Sequence, residues 1–216
     1  EENKKFMIYS FDPNGKPSSS DHVKVLNAFF SEDEINNQEI SDINLFIHSH
    51  LFEHIYDPLN FLNTIHKHLN ENGFHIFTVP NMSKMIGLNY ANAMNFEHPF
   101  YYDEILVDYL LYKNNFKIIK KKFFKEDHSI MYVTQLDSSL SSKSKLKNYS
   151  KYEKNLKLFN GMFNFWKKDI FKINKSTKKY NKIFIFGAHI FSQMMIFNGL
   201  NKKNIISILD NDKKKI

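Results

Sequence analysis

The chain of 216 residues is 42% hydrophobic and 16% aromatic, enough apolar material for one full core and part of a second, and its lack of cysteine excludes disulfides, thiolate zinc sites and a cysteine nucleophile. Its net charge of +7 rests on lysine alone, since none of the 30 basic residues is arginine, and a surface without the guanidinium fork that reads guanine and clamps phosphate argues against nucleic acid as partner. No run of 18 uncharged apolar residues offers a membrane span, and the Glu1-Glu2-Asn3-Lys4-Lys5 start lacks the basic-then-apolar order of a signal peptide, so a cytoplasmic protein is expected.

Short apolar runs alternate with longer amphipathic ones along the chain, which predicts an α/β layer fold. Phe6 to Phe11 reads as a strand closed by the turn cluster Asp12-Pro13-Asn14-Gly15, and His22 to Phe30 as a second strand closed by Ser31-Glu32-Asp33-Glu34. The connection between them is too short for a crossover helix. Asp42 to His50 reads as a strand covered on both faces, because its apolar run is continuous rather than alternating. Asp57-Pro58 is an N-cap with proline at the first helical position, and Leu59, Leu62, Ile65, His66 and Leu69 follow at helical spacing up to a stop at Asn72-Gly73.

Phe74 to Val79 is the next expected strand, and Tyr101 to Tyr112 the next helix, with Ile105, Leu106, Tyr109 and Leu110 on its apolar side. Phe116 to Phe124 and His128 to Leu136 read as a β-hairpin, so parallel strands finish in an antiparallel pair. Residues 1–137 form the first domain on this reading, and 138–181 hold a Ser- and Lys-rich linker and an aromatic helix over Tyr149 to Phe171, with Leu156, Phe159, Phe163 and Trp166 on one side. Residues 182–216 begin a second α/β domain: strand Lys182 to Phe186, turn Gly187-Ala188-His189, helix Ile190 to Phe197, strand Ile205 to Leu209.

The string Ile47-His48-Ser49-His50-Leu51-Phe52-Glu53-His54-Ile55-Tyr56-Asp57-Pro58, with the helix, strand and Pro80-Asn81 after it, resembles the fourth and fifth strand region of class I S-adenosylmethionine-dependent methyltransferases. Asn95-Phe96-Glu97-His98-Pro99-Phe100-Tyr101-Tyr102 and the helix-then-hairpin ending resemble the bacterial branch that modifies sugars, often nucleotide-linked ones. Phe186-Gly187-Ala188-His189 through Leu209-Asp210-Asn211 is similar to the small carboxyl-terminal domain of the sugar C-methyltransferases. The resemblance implies a Rossmann-like methyltransferase sheet, S-adenosylmethionine as cofactor, and a sugar or nucleotide-sugar of a bacterial surface polysaccharide as substrate.

Carried over by position, Asp12 would bind the cofactor ribose, Phe30 would border the adenine, and Ser49 and His50 would lie beside the methionine part. Glu97 and His98 would form the acid-histidine pair whose histidine takes a proton from the sugar. Histidine suits that role because its ordinary pKa lies near neutrality. The glycine-rich loop that follows the first strand of the family has no counterpart, so the chain reads as a fragment that begins at the second strand and stops inside a second domain. The cysteine-rich zinc module of the C-methyltransferases is absent, and Asn95 stands where their tyrosine precedes the histidine, which leaves oxygen and nitrogen methylation open beside carbon.

His48 and His50 would share a strand face, but His54 follows in a turn, and no metal site is expected from that spacing. Glu53-His54 is expected to orient the turn, and Gly187-Ala188-His189 could take a phosphate on a helix amino end. Two rival readings stand beside the enzyme. One is a non-catalytic scaffold of the same fold that recruits partners through the helix near Trp166, and the other is an oxidoreductase holding a dinucleotide on the carboxyl-terminal unit, which has Gly187 but not the three-glycine fingerprint.

Overall fold

A computed structural model describes residues 6–124, 126, 128–140 and 151–212. Strand β1 (Ile8–Phe11) pairs in parallel with β3 (Val23–Leu26). No helix joins them. The link folds into the two-residue strand β2 (Ser18–Ser19), antiparallel to β3, after an Asx turn in which the Asn14 N–H donates to Asp12 Oδ1 at 2.9 Å. β3 ends at Leu26 rather than running to Phe30, because Asn27 turns its side-chain amide onto the Pro13 and Gly15 carbonyls at 2.7 and 3.0 Å. Ser31-Glu32-Asp33-Glu34, expected only to close a strand, begins helix α1 (Glu32–Asn37): Ser31 caps the Glu34 N–H and the first turn is acidic.

The main sheet has the order β4-β5-β7-β6. β4 (Ile43–Ser49) pairs in parallel with β5 (Leu69–Pro80), and β7 (Ser129–Leu136) runs antiparallel between β5 and β6 (Phe116–Phe124). The hairpin expected from the sequence is therefore present, with its second strand inserted inward. β4 is not covered on both faces as expected. It is an edge strand, and Leu45 and Ile47 on its outer face are 47% and 68% exposed.

Helix α2 (Pro58–His68) starts where Asp57 Oδ1 accepts from the Asn60 N–H at 3.0 Å and Pro58 holds the first helical position. It buries Phe61, Leu62 and Ile65, while Leu59 turns outward. β5 begins at Leu69, directly after the helix, and continues through Asn72-Gly73, which was expected to be a stop. Glycine is required there because a Cβ would stand 2.5 Å from Leu69 Cδ1 and 2.9 Å from the Asn70 carbonyl oxygen.

Helix α3 (Met82–Gly87) and a 3-10 turn, Ala91–Met94, lead to α4 (Glu104–Lys113), which buries Val107, Leu110 and Leu111. That stripe is rotated from the expected one, and Ile105 is 40% exposed. α2 and α4 cover the sheet face carrying Phe77, Val79, Ile130 and Tyr132, and together they form the main core.

Helix α5 (Tyr152–Thr177) packs on α3 through a second core of Met82, Met85, Ile86, Ala93 and Met162. Leu156, expected on its apolar side, is 40% exposed. β8 (Ile183–Phe186), α6 (Ile190–Phe197) and β9 (Ile205–Leu209) form the expected parallel unit, and α6 meets both α5 and the Ala91–Met94 turn. The linker expected before α5 lies mostly outside the described residues. Among the described residues no helix is long and apolar enough to cross a membrane.

Candidate functional site

The carboxyl ends of parallel strands gather groups that the sheet interior cannot hold, because backbone and side chains there leave the ladder together. Ser49 and Thr78 face each other at the ends of β4 and β5, with their hydroxyls 2.7 Å apart. His50 follows in a left-handed conformation, φ 47°, so the chain turns sharply. Its Nε2 lies 3.2 Å from Ser129 Oγ, which is also 2.9 Å from His128 Nδ1. A polar corner thus joins β4, β5 and the start of β7.

Past this corner a 3-10 turn, Phe52–His54, carries Phe52 and Glu53 inward. Phe52 stacks on Tyr102 at 4.9 Å between ring centres, which fixes the turn against the segment before α4. The same packing draws His54 against His98, ring centres 4.8 Å apart. His54 Nδ1 lies 3.0 Å from the Glu97 carbonyl oxygen, and His98 Nδ1 lies 3.4 Å from that of Ala93. A carbonyl oxygen only accepts, so each Nδ1 carries a proton, and in the neutral ring this tautomer places the lone pair on Nε2. Burial draws the His98 pKa below its ordinary value, against the pull of the Ala93 carbonyl.

Glu97, expected as the acid of a pair with His98, turns its carboxylate to Asn95. Its carboxylate accepts from Asn95 Nδ2 at 3.2 Å, and the ring is held by the Ala93 carbonyl, leaving Glu97 a through-space influence that raises the His98 pKa slightly against the larger effect of burial. The carboxylate that does reach the two histidines is Glu53. One carboxylate oxygen of Glu53 and one ring nitrogen each of His54 and His98 lie within 4.8 Å of one another. Glu53 is 2% exposed, its Oε2 has no hydrogen-bond partner, and burial raises its pKa. Tyr102, also buried and with its hydroxyl unpartnered, has its pKa raised by burial and by the Glu53 charge.

The other expected residues are dispersed. Asp12 is exposed at the end of β1 in the small sheet. Phe30 is a wedge between the two sheets, with edge contacts to Phe11, Phe46 and Phe61 at 5.5, 5.7 and 5.4 Å. His48 does not join His50 and His54. It points into the core, where its Nε2 is 2.9 Å from that of His75 and burial lowers its pKa to about 3. Two concavities beside α3 and α5 are lined by none of Asp12, Phe30, Ser49, His50, Glu97 or His98.

At the carboxyl-terminal turn, the Ala188 N–H donates to Asp210 Oδ2 at 2.7 Å. A carboxylate already occupies the place where a phosphate was expected, and it would repel one. Trp166 packs 6.2 Å from Phe191 of α6, in a seam between the two helices.

No family model matches the sequence, and no curated protein matches it. Among solved structures, the chain is similar to an S-adenosylmethionine-dependent methyltransferase from Clostridium acetobutylicum ATCC 824, with 14% identity and a TM-score of 0.36 over 49% of this chain and 69% of that one. A likeness of that size carries no argument, and the functional reading rests on the residues.

Proposed function

We propose that this chain is an S-adenosylmethionine-dependent methyltransferase of the class I type, acting on a sugar or nucleotide-linked sugar, with His98 taking a proton from the acceptor. The observation that carries the reading is the placement of His98. The Ala93 carbonyl holds its Nδ1–H, Nε2 is left as a base, and the ring lies against the turn that leaves the carboxyl end of β4. The resemblance of Ile47 through Pro58 and of Asn95 through Tyr102 to the family supports it. So does a sheet of parallel strands finished by the antiparallel strands β7 and β6.

The cofactor would supply an electrophilic methyl group on a sulfonium. Asp12 fits the ribose: it is exposed, and with Oδ1 accepting from Asn14 its Oδ2 is left to accept from hydroxyls. Ser49 and His50 at the strand end are assigned to the methionine part, and Phe30, between the sheets, to the adenine side. His98 Nε2 would accept the acceptor's proton as the acceptor atom becomes the nucleophile. The lowered pKa of His98 keeps it unprotonated at neutral pH. Residues 1–137 are assigned to the methyltransferase domain and 182–216 to a separate α/β unit.

The test is His98→Ala. Methyl transfer to a nucleotide-sugar panel is expected to fall by about two orders of magnitude or more, with S-adenosylmethionine binding, measured by calorimetry, close to that of the parent chain. Equal losses in both would make His98 structural. No heat with the cofactor or with its demethylated product would favour the scaffold reading.

A further inference from the structure

We propose that Glu53, His54 and His98 form a binding site for a divalent cation of the zinc type, held by a carboxylate oxygen and two imidazole Nε2 atoms. This goes beyond methyl transfer and does not rest on it.

Three features of the cluster point to a cation. The first is the donor set: one oxygen and two ring nitrogens from three side chains lie within 4.8 Å of one another, on a turn and a loop brought together by the Phe52–Tyr102 stack. Two imidazoles and one carboxylate suit a borderline first-row cation, and three protein ligands leave positions for water or substrate. The second is the tautomeric state. Both histidines give their Nδ1–H to backbone carbonyls, of Glu97 and of Ala93, which is the outer arrangement that fixes a ligating imidazole and turns the Nε2 lone pair to the metal.

The third is an unmet demand. Glu53 is buried to 2% exposure with Oε2 unpartnered. The Glu53 carboxylate has a backbone hydrogen bond and the nearby His54, and its remaining buried oxygen is a place for a proton or a cation. A cation here would satisfy that oxygen and both lone pairs together.

Ligand atoms around tetrahedral zinc stand about 3.4 Å apart, given zinc–nitrogen bonds near 2.05 Å. The cluster therefore closes by roughly an ångström on binding. Glu53 is fixed by burial, so the movement falls to His54 and His98, which are only half-buried and can rotate about their carbonyl bonds. At His98 the cation and a proton compete for the same Nε2.

The experiment uses the purified chain, stripped with chelator and titrated with Co2+ as a spectroscopic stand-in for Zn2+. One equivalent of Co2+ is expected to give visible d–d absorption that one equivalent of Zn2+ abolishes. His54→Ala and His98→Ala are expected to lose the signal, and Glu53→Gln to weaken binding about tenfold or more. His22→Ala and His189→Ala, outside the cluster, are expected to retain it. Far-UV circular dichroism checks the fold of each variant. On the parent chain, Zn2+ is expected to protect His54 and His98, but not His22, from carbethoxylation read by mass spectrometry. Absence of stoichiometric Co2+ absorption in the parent, unchanged binding in both His→Ala variants, or uniform labelling with and without Zn2+ overturns the site.

Discussion

Histidine carries most of what is specific about this molecule, and its ten copies divide by environment rather than by sequence. His48 and His75 share one hydrogen bond between their Nε2 atoms, so one ring donates, the other accepts, and both are neutral. Both stack on Phe77, at 5.0 and 4.7 Å, and both Nδ1 atoms are buried without a partner. Burial lowers the His48 pKa to about 3 and that of His75 well below its ordinary value, the nearby His48 adding to the second shift. The unfolded chain binds these protons near pH 6.5, so the folded state is fully favoured above that pH and loses stability as pH falls from 6.5 toward 3. The expected slope is roughly 1 kcal/mol per pH unit for each histidine. Urea titrations at pH 7 and pH 5 check it, and equal midpoints at the two values would remove the pair as an acid-labile element. His54 and His98, by contrast, are only half-buried and stand against each other at the turn after β4.

Elements formed where local signals were strong, and their limits were decided by neighbours. α2 has a complete start, with Asp57 capping Asn60 and Pro58 at the first position. Asp57→Ala is expected to cost about 1 kcal/mol, read as a lower urea midpoint, because an N–H at the helix start loses its acceptor. A midpoint equal to that of the parent would mean that packing of Phe61, Leu62 and Ile65 alone holds the helix. The Ser31 cap and the three acids after it are an equally local helix start, and they open α1 rather than only closing a strand. β5 runs through Asn72-Gly73 as an irregular stretch: its pairing with β4 shifts there from Ile43–Leu69 to Leu45–Phe74, and β7 joins only from His75. The buried stripe of α4 shifted to Val107, Leu110 and Leu111 because three apolar residues in every turn allow more than one face, and contact with β6 and α2 selected among them.

Across the described residues there are two cores. The main one lies between the four-stranded sheet and helices α2 and α4, and the second is where α5 meets α3. The single tryptophan, Trp166, lies in the seam between α5 and α6, so its emission reports that seam alone. Phe191→Ala is expected to shift the emission to longer wavelength while far-UV circular dichroism keeps the parent's midpoint, since distant sites act nearly independently. Leu62→Ala in the main core is expected to cost about 2–5 kcal/mol in that midpoint and to leave the folded-state emission unchanged. An unshifted emission in Phe191→Ala would mean that α6 does not shield Trp166.

By itself the sequence determined the alternation of elements, the cap and proline of α2, the antiparallel finish of the main sheet, and the order of the carboxyl-terminal unit. These follow from periodicity and from residues whose backbone preferences act locally. It also marked Ser49, His50 and His98 through a resemblance of short strings. Only the tertiary structure decided which acid stands with which histidine. Glu97 is adjacent in sequence but turns to Asn95, while Glu53, 45 positions away from His98 by their numbers, is delivered by the Phe52–Tyr102 stack. Likewise His48 and His50, expected on one strand face, were separated: β4 sent the first into the core against His75, and the positive φ of His50 turned the second outward at the strand end. Proximity across a fold is set by packing between segments that no local pattern relates, and the chemistry of this molecule lies in those pairings.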